Sequence, residues 1–108
     1  MGPTNRLLFW LLEGTKGGPT RIQILSLLAK KPMNMRQLAL AANLDYKTVE
    51  HHVRLLEKNL IIDCIGSGYG KAYFVSDMVL GEKEIMDKIR GEEYEGKEKA
   101  SRKQRRKN

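Results

Sequence analysis

The sequence predicts a mainly α-helical domain with one small β-hairpin, and two features of its apolar pattern support this fold class. Apolar residues recur at helical spacing in three short segments, 20–30, 35–42 and 45–58. After residue 60 the pattern becomes that of two short strands, 61–65 and 71–75, on either side of a glycine-rich stretch. The 108 residues have the length of one compact domain with tails.

A nearly all-apolar helix is predicted at residues 4–13, followed by a linker that contains Gly14, Gly17 and Gly18. A surface helix of a monomer has a polar face, and this one has almost none, so we expect another surface to cover it. The run is too short to cross a bilayer. Its apolar residues are Leu7, Leu8, Phe9, Trp10, Leu11 and Leu12.

The next helix is predicted at about residues 20–30. Thr20 and Gln23 have the spacing of a capping box, and Pro19 suits a helix entrance. The segment Lys30-Lys31-Pro32 is expected to end the helix, because proline cannot continue it and positive charge is favoured at a helix C-terminus.

Two further helices follow in close succession. Residues 35–42 form a two-turn helix, and Asn43 tolerates the left-handed backbone of a tight connection. Asp45 is expected to cap a longer helix, 45–58. Its predicted buried stripe is Val49, Val53, Leu56 and Leu60. Two short helices joined by a short turn are typical of the helix-turn-helix motif, with the second helix as the recognition helix.

The hairpin 61–75 comes directly after the recognition helix, where a wing would lie. An amphipathic C-terminal helix is predicted over residues 78–95, interrupted near Gly81, with Ile85, Met86 and Ile89 on its apolar face. Residues 96–108 are expected to be a disordered basic tail. Residues 97–108 alone contribute +6 of the net charge of +7, so the overall basicity says little about the folded part.

A helix fits the major groove of B-DNA, where the base edges are distinguishable. Opposite the predicted buried stripe lie Lys47, His51, Arg54 and Lys58, and Thr48 and Glu50 flank that face. The first turns of a groove-reading helix approach the base edges, so the residues that we expect to read bases are Tyr46, Lys47, Thr48, Glu50 and His51. Arg54 is expected to contact phosphate. Glu50 could accept a hydrogen bond from cytosine or pair with Arg54, and the pair is the favoured interpretation.

Outside the recognition helix, Tyr69 and Lys71 at the hairpin tip are candidates for the minor groove or the backbone. Arg36 and Gln37 are candidates for phosphate contacts, and Arg21 is a weaker one. For each of these residues the alternative is a solvated surface position, and for Tyr69 an ordinary mobile loop is equally compatible with the sequence.

The chain resembles the ArsR-like branch of winged-helix transcription regulators, especially its small archaeal members, over about residues 18–76. The resemblance rests on Gly18-Pro19-Thr20-Arg21, Gln37-Leu38-Ala39, Leu44-Asp45-Tyr46-Lys47-Thr48-Val49, His51-His52-Val53 and Leu55-Leu56-Glu57-Lys58-Asn59. It implies a homodimer built from the first and last helices, with two recognition helices facing successive major grooves. The expected domains are therefore 1–17 for dimerisation and linker, 18–77 for DNA binding, 78–95 for the C-terminal helix and 96–108 for the tail.

Two positions depart from the family pattern. Family members place glycine just after the recognition helix, where this chain has Leu60, so we expect Asn59 to take the left-handed conformation instead. The clustered cysteines, or Asp and His pairs, of the metal-sensing members are missing, so no metal and no cofactor are predicted. His52 is expected to be a half-buried packing residue and Cys64 a small strand hydrophobe.

Enzyme function is disfavoured, because no nucleophile is paired with a base and the glycine-rich hairpin lacks the spacing of a phosphate loop. The single Cys64 excludes an internal disulfide, and no secretory segment precedes the domain, so we expect a cytoplasmic protein without a membrane partner. Two alternatives to duplex DNA stay open. One is a winged helix that binds protein, and the other is an RNA-binding module that stacks bases on tyrosines. The sequence predicts no particular effector.

Overall fold

The computed structural model describes residues 3–91, which form a mainly helical domain with one antiparallel hairpin, as predicted. The helices are α1 (Pro3–Glu13), α2 (Gly18–Lys30), α3 (Met35–Ala42), α4 (Tyr46–Lys58) and α5 (Asp77–Leu80), and residues 83–91 are a further helical segment, α6. The strands are β1 (Ile62–Ile65) and β2 (Ala72–Val75). The predicted tail 96–108 lies outside the described residues. No helix within residues 3–91 is both long and apolar enough to cross a membrane.

The core lies between the helices and the hairpin. Val49, Val53 and Leu56 are fully buried on one face of α4, which confirms three of the four stripe residues. They pack in one cluster with residues from every other helix and from both strands. Burying apolar side chains of this size contributes roughly 1.5 to 3 kcal/mol each, so the back of α4 is firmly held.

The start of α2 differs from the prediction. The helix begins at Gly18 with Gly17 as its N-cap, and no side chain caps it. Because Pro19 is favoured at the first helical positions, Thr20 is already inside the first turn and the predicted capping box is wrong. The Gln23 side chain instead donates from Nε2 to the Ala42 carbonyl at 3.1 Å, which joins α2 to α3.

The helix-turn-helix is closed by local hydrogen bonds. A capping box is present at the start of α3, where the Gln37 N–H donates to Asn34 Oδ1 at 2.8 Å and the Asn34 N–H donates to Gln37 Oε1 at 2.9 Å. Asn43 ends α3 in the left-handed conformation with φ of 57°, and Asp45 caps α4. Both of these predictions are confirmed.

The hairpin pairs β1 with β2 in the register Ile62↔Val75, Asp63↔Phe74, Cys64↔Tyr73 and Ile65↔Ala72. A further bridge was not predicted. The Met33 N–H donates to the Tyr73 carbonyl at 3.1 Å, and the Tyr73 N–H donates to the Met33 carbonyl at 2.8 Å. The segment before α3 is therefore tied to the wing.

The end of α4 corrects two predictions. Leu60 is 68% exposed rather than part of the buried stripe, and it has φ of 62°, whereas Asn59 has φ of −95°. The Leu60 N–H donates to the Glu57 carbonyl at 3.0 Å and the Ile61 N–H to the Leu56 carbonyl at 2.9 Å. This Schellman pattern requires the left-handed residue directly after the C-cap, and Ile61, which is fully buried, continues the core instead.

Leu60→Gly is expected to raise the free energy of unfolding by about 0.5 to 1 kcal/mol, because it removes left-handed strain at a small cost in unfolded-chain entropy. Urea denaturation measures this change. Asn59→Gly is the matched control. It should destabilise the protein, because it removes the hydrogen bond from Asn59 Nδ2 to the Leu55 carbonyl at 2.9 Å. A loss of stability in Leu60→Gly would contradict the strain argument.

Candidate nucleic-acid interface

The outer face of α4 is polar and open to solvent. Lys47, His51 and Arg54 are exposed, while Val49, Val53 and Leu56 on the opposite face are fully buried. Lys58, in the last turn, is exposed as well. The face that was predicted to read DNA is therefore free in this structure, and its back is anchored in the core.

Two of the predicted base-reading residues have partners on their own helix. The Thr48 hydroxyl donates to Asp45 Oδ1 at 2.6 Å, and its N–H donates to Asp45 Oδ2 at 3.1 Å. These bonds lower the pKa of the Asp45 carboxyl. Glu50 pairs with Arg54, whose Nη2 lies 3.3 Å from Glu50 Oε2, as the favoured interpretation had it. Of the residues predicted to read bases, Tyr46, Lys47 and His51 are therefore the ones least restrained by such bonds within their own helix.

A cleft of about 480 Å³ separates α4 from the hairpin. It brings together predicted residues of both elements: Tyr46, Glu50 and Arg54 from α4, and Tyr69 and Lys71 from the wing. Tyr69 is 97% exposed at the tip of the turn, where Gly66 and Gly68 have positive φ. The wing and the recognition helix therefore border one continuous groove.

A polar cluster at the base of this cleft was not predicted. Glu57 Oε2 accepts a hydrogen bond from Cys64 Sγ at 3.3 Å and lies 3.9 Å from Lys71 Nζ. Burial, followed by the hydrogen bond to Glu57, raises the pKa of the Cys64 thiol. Lys71 Nζ also lies 5.8 Å from the centroid of the Tyr73 ring. Helical spacing alone does not distinguish Glu57 from a solvated acid; the hairpin register places it beside Cys64 and Lys71.

The remaining basic candidates are in different surroundings. Arg36 and Gln37 are exposed at the start of α3, although Gln37 also takes part in the capping box. Arg21 does not point outward as proposed. It is only 7% exposed, and its Nη1 donates to the Leu11 carbonyl at 2.7 Å and to Thr15 Oγ1 at 2.6 Å. Burial lowers the pKa of its guanidinium.

Most of the residues predicted to form a dimer surface lie in the core of the chain itself. Their burial corrects the expectation that the whole N-terminal run needs an outside cover, because α1 packs against α2 and is joined to α6 by the Glu13–Lys88 ion pair. The exposed ones are Leu7 at 40% and Trp10 at 59%, and Phe9 is half-buried. The buried ones are Leu8, Leu11, Leu12, Ile85, Met86 and Ile89.

The side chains that could hold a metal ion are scattered. Across residues 3–91, no group of three or more His, Cys, Asp or Glu residues is arranged to bind one. His52, which was expected to be half-buried, is buried on the core side of α4, and its ring lies 5.4 Å from that of His51.

This arrangement of helices and hairpin is similar to that of known regulatory proteins. Residues 18–62 match the family model described as bacterial regulatory protein, arsR family. Reduced HlyU from Vibrio cholerae is similar in structure, with a TM-score of 0.59 and 15% sequence identity over 79% of this chain and 81% of that one. No curated protein sequence matches the chain.

Two other solved structures are similar. A homodimeric winged helix-turn-helix DNA-binding domain from Mycobacterium bovis, a possible ArsR-family transcriptional regulator, has a TM-score of 0.61 and 14% identity over 87% of this chain and 90% of that one. A probable transcriptional regulator from Pseudomonas aeruginosa has a TM-score of 0.60 and 22% identity over 85% and 75%. These likenesses confirm the winged helix-turn-helix fold.

Proposed function

We propose that this chain binds duplex DNA in a sequence-specific manner as a transcription regulator, because residues 18–62 match the family model described as bacterial regulatory protein, arsR family. On this proposal the protein is a regulator and not an enzyme. The observation that supports sequence reading is the two-sided character of α4. Its apolar back is fully buried, and its polar face, with Lys47 and His51, is open.

In the proposed complex α4 lies in the major groove, and its first turns approach the base edges. Lys47, His51 and Tyr46 are then the principal readers, with Glu50 and Thr48 beside them. In this complex Arg54 exchanges its ion pair with Glu50 for a contact with a phosphate, because exposed ion pairs of this kind are weak. Glu50 would then be free to accept a hydrogen bond from cytosine.

The wing and α3 supply the proposed positioning contacts. Tyr69 and Lys71 lie across the cleft from α4, which is the place for a wing that follows the minor groove or the backbone. Arg36 and Gln37 are exposed at the start of α3 and are proposed to contact phosphates.

We also propose that two copies pair through α1, with residues 1–17 as the dimer element and linker and 18–77 as the DNA-binding part. Support comes from Leu7 and Trp10, which are 40% and 59% exposed and, being three residues apart, lie on the same face of α1 as an apolar pair. The similar domain from Mycobacterium bovis is homodimeric. A dimer would present two copies of α4 to successive major grooves.

The proposal is tested by selecting bound duplexes from a random pool with the purified protein. We expect two half-sites about 10 to 10.5 base pairs apart, centre to centre, or a multiple of that spacing. The affinity for the selected site should fall linearly with salt on logarithmic axes. Enrichment of no sequence, or stronger binding of structured RNA than of the selected duplex, would overturn the proposal.

Glu57→Gln is expected to strengthen DNA binding about three- to tenfold at low salt. The substitution removes the carboxylate that Lys71 faces at 3.9 Å, so Lys71 becomes available to phosphate and the logarithmic salt slope steepens by about one. Fluorescence anisotropy over a salt series measures both quantities. Asp87→Asn makes the same charge change on α6, outside the cleft, and serves as the control. Equal effects from the two variants would contradict a specific role for Lys71.

Trp10→Glu is expected to weaken the dimer at least about 30-fold, because a buried interface tryptophan often contributes about 2 kcal/mol or more. Analytical ultracentrifugation without DNA measures the dissociation constant. Leu40→Glu is the control, since Leu40 is 75% exposed on α3 and outside the proposed interface. If Trp10→Glu dimerises as the wild type does, the second copy does not bind at α1.

A further inference from the structure

Two basic side chains meet where the α1–α2 connection packs against the back of the recognition helix. Arg21 of α2 is only 7% exposed, and His52 of α4 only 9%. A Cβ built on Gly17 would lie 2.8 Å from Arg21 Nη2 and 2.9 Å from His52 Cε1, so both side chains converge over this residue. The same short distances leave no room for a counter-ion between them.

The guanidinium of Arg21 is a positive charge that no acid balances. An arginine stays protonated in proteins. Its Nη1 donates to the Leu11 carbonyl at 2.7 Å and to Thr15 Oγ1 at 2.6 Å, and its Nε has no hydrogen-bond partner. No carboxylate within residues 3–91 forms an ion pair with it. The charge therefore acts on the imidazole beside it without compensation.

The imidazole of His52 fits this place only in its neutral form. Its Nδ1 is buried and has no hydrogen-bond partner. A neutral ring carries one N–H and a protonated ring two, so in the protonated ring Nδ1–H would have no acceptor. Burial first, and then the charges of Arg21 from α2 and His51 from α4, lower the pKa of this imidazole. Among the described residues no acid opposes these two groups.

We propose that the contact between Arg21 and His52 is an acid-sensitive switch, which holds the α1–α2 connection against α4 while His52 is neutral and opens when His52 takes up a proton. The added proton places a second positive charge beside the guanidinium, at a nitrogen that water does not reach. Like charges a few ångströms apart repel strongly in a buried site. Separation of the two side chains, followed by their hydration, relieves this repulsion.

The switch has a consequence for the proposed dimer. Arg21 also bonds to the Leu11 carbonyl, so its displacement loosens the end of α1. Acid would then weaken the pairing of two copies through α1 and release the back of α4 from the connection. This consequence rests on the proposed function. The switch itself is tested on the protein without DNA, and its failure would leave the proposed DNA binding untouched.

The first test is urea denaturation of the full chain between about pH 7.5 and 5.5, a range that lies above the ordinary carboxyl pKa values. Ionic strength and protein concentration are held constant. The unfolded chain binds the His52 proton more readily than the folded one, so stability is present above about pH 6.5 and is lost as the pH falls. The unfolding equilibrium constant is expected to rise up to about tenfold over this range.

His52→Gln should remove most of this pH dependence, because glutamine takes up no proton in the range. His51→Gln is the matched control. It replaces the other histidine of the chain, which lies on the exposed face of α4, and should keep most of the wild-type dependence. Amide hydrogen exchange then locates the opening. At about pH 5.5 we expect protection to fall more in residues 15–21 than in the strands β1 and β2, and this difference should vanish in His52→Gln.

Three results would overturn the proposal. The first is a pH dependence of stability that is the same in His52→Gln as in the wild type. The second is a loss of protection at low pH that is uniform along the chain. The third needs no variant to fold: NMR of the Cε1–H resonances of the wild type would show that His52 titrates with a pKa at or above the ordinary value of about 6.5.

Discussion

Gly18→Ala is expected to lower the free energy of unfolding by about 3 kcal/mol, the cost of severe overpacking in a core that cannot yield easily. A Cβ on Gly18 would lie 2.2 Å from the Leu12 carbonyl oxygen and 2.7 Å from its carbon. Both are backbone atoms of α1, so a side-chain rotation cannot relieve the clash and the two helices must separate. Leu8, Leu11 and Leu12 would then lose part of their burial against α2.

Thermal and urea denaturation of Gly18→Ala measure this loss. Gly70→Ala is the control, because a Cβ there meets nothing within 4 Å and its φ is not positive. The control is expected to stay within about 0.5 kcal/mol of the wild type, as surface substitutions usually do. A Gly18→Ala protein as stable as the control would mean that α1 does not pack against the start of α2 in solution.

The double substitution Lys47→Ala with His51→Ala is expected to reduce the preference for the selected site over random duplex about 100-fold. Each well-placed contact to a base edge contributes roughly 1 to 3 kcal/mol of discrimination. Overall affinity falls as well, because Lys47 carries charge. The informative quantity is therefore the ratio of specific to non-specific dissociation constants at one salt concentration.

Lys58→Ala provides the comparison for that experiment. Lys58 is exposed on the same helix but lies in its last turn, away from the proposed base contacts. Its loss should weaken binding to all sequences alike and leave the ratio unchanged. Retained discrimination in the double variant would show that another element reads the sequence, and the proposed role of α4 would be wrong.

The helix-turn-helix and the hairpin could be predicted because short-range interactions determine them. The repeat of Val49, Val53 and Leu56 requires a helix with one buried face, and Asp45 and Asn43 stabilise their helix ends through hydrogen bonds within a few residues. The glycine-rich turn between two short apolar runs likewise favours a hairpin. The orientation of the polar face of α4 follows from that periodicity alone.

Contacts between distant segments decided the rest. Arg21 resembles a surface cation in the sequence, and it is buried because α1 places the Leu11 carbonyl beside it. Glu57 meets Lys71 only through the hairpin register, and the left-handed residue is Leu60 because the Schellman bonds require that position. Sequence patterns reflect interactions between residues that are close along the chain. The burial of a charged side chain depends instead on which distant segment packs against it.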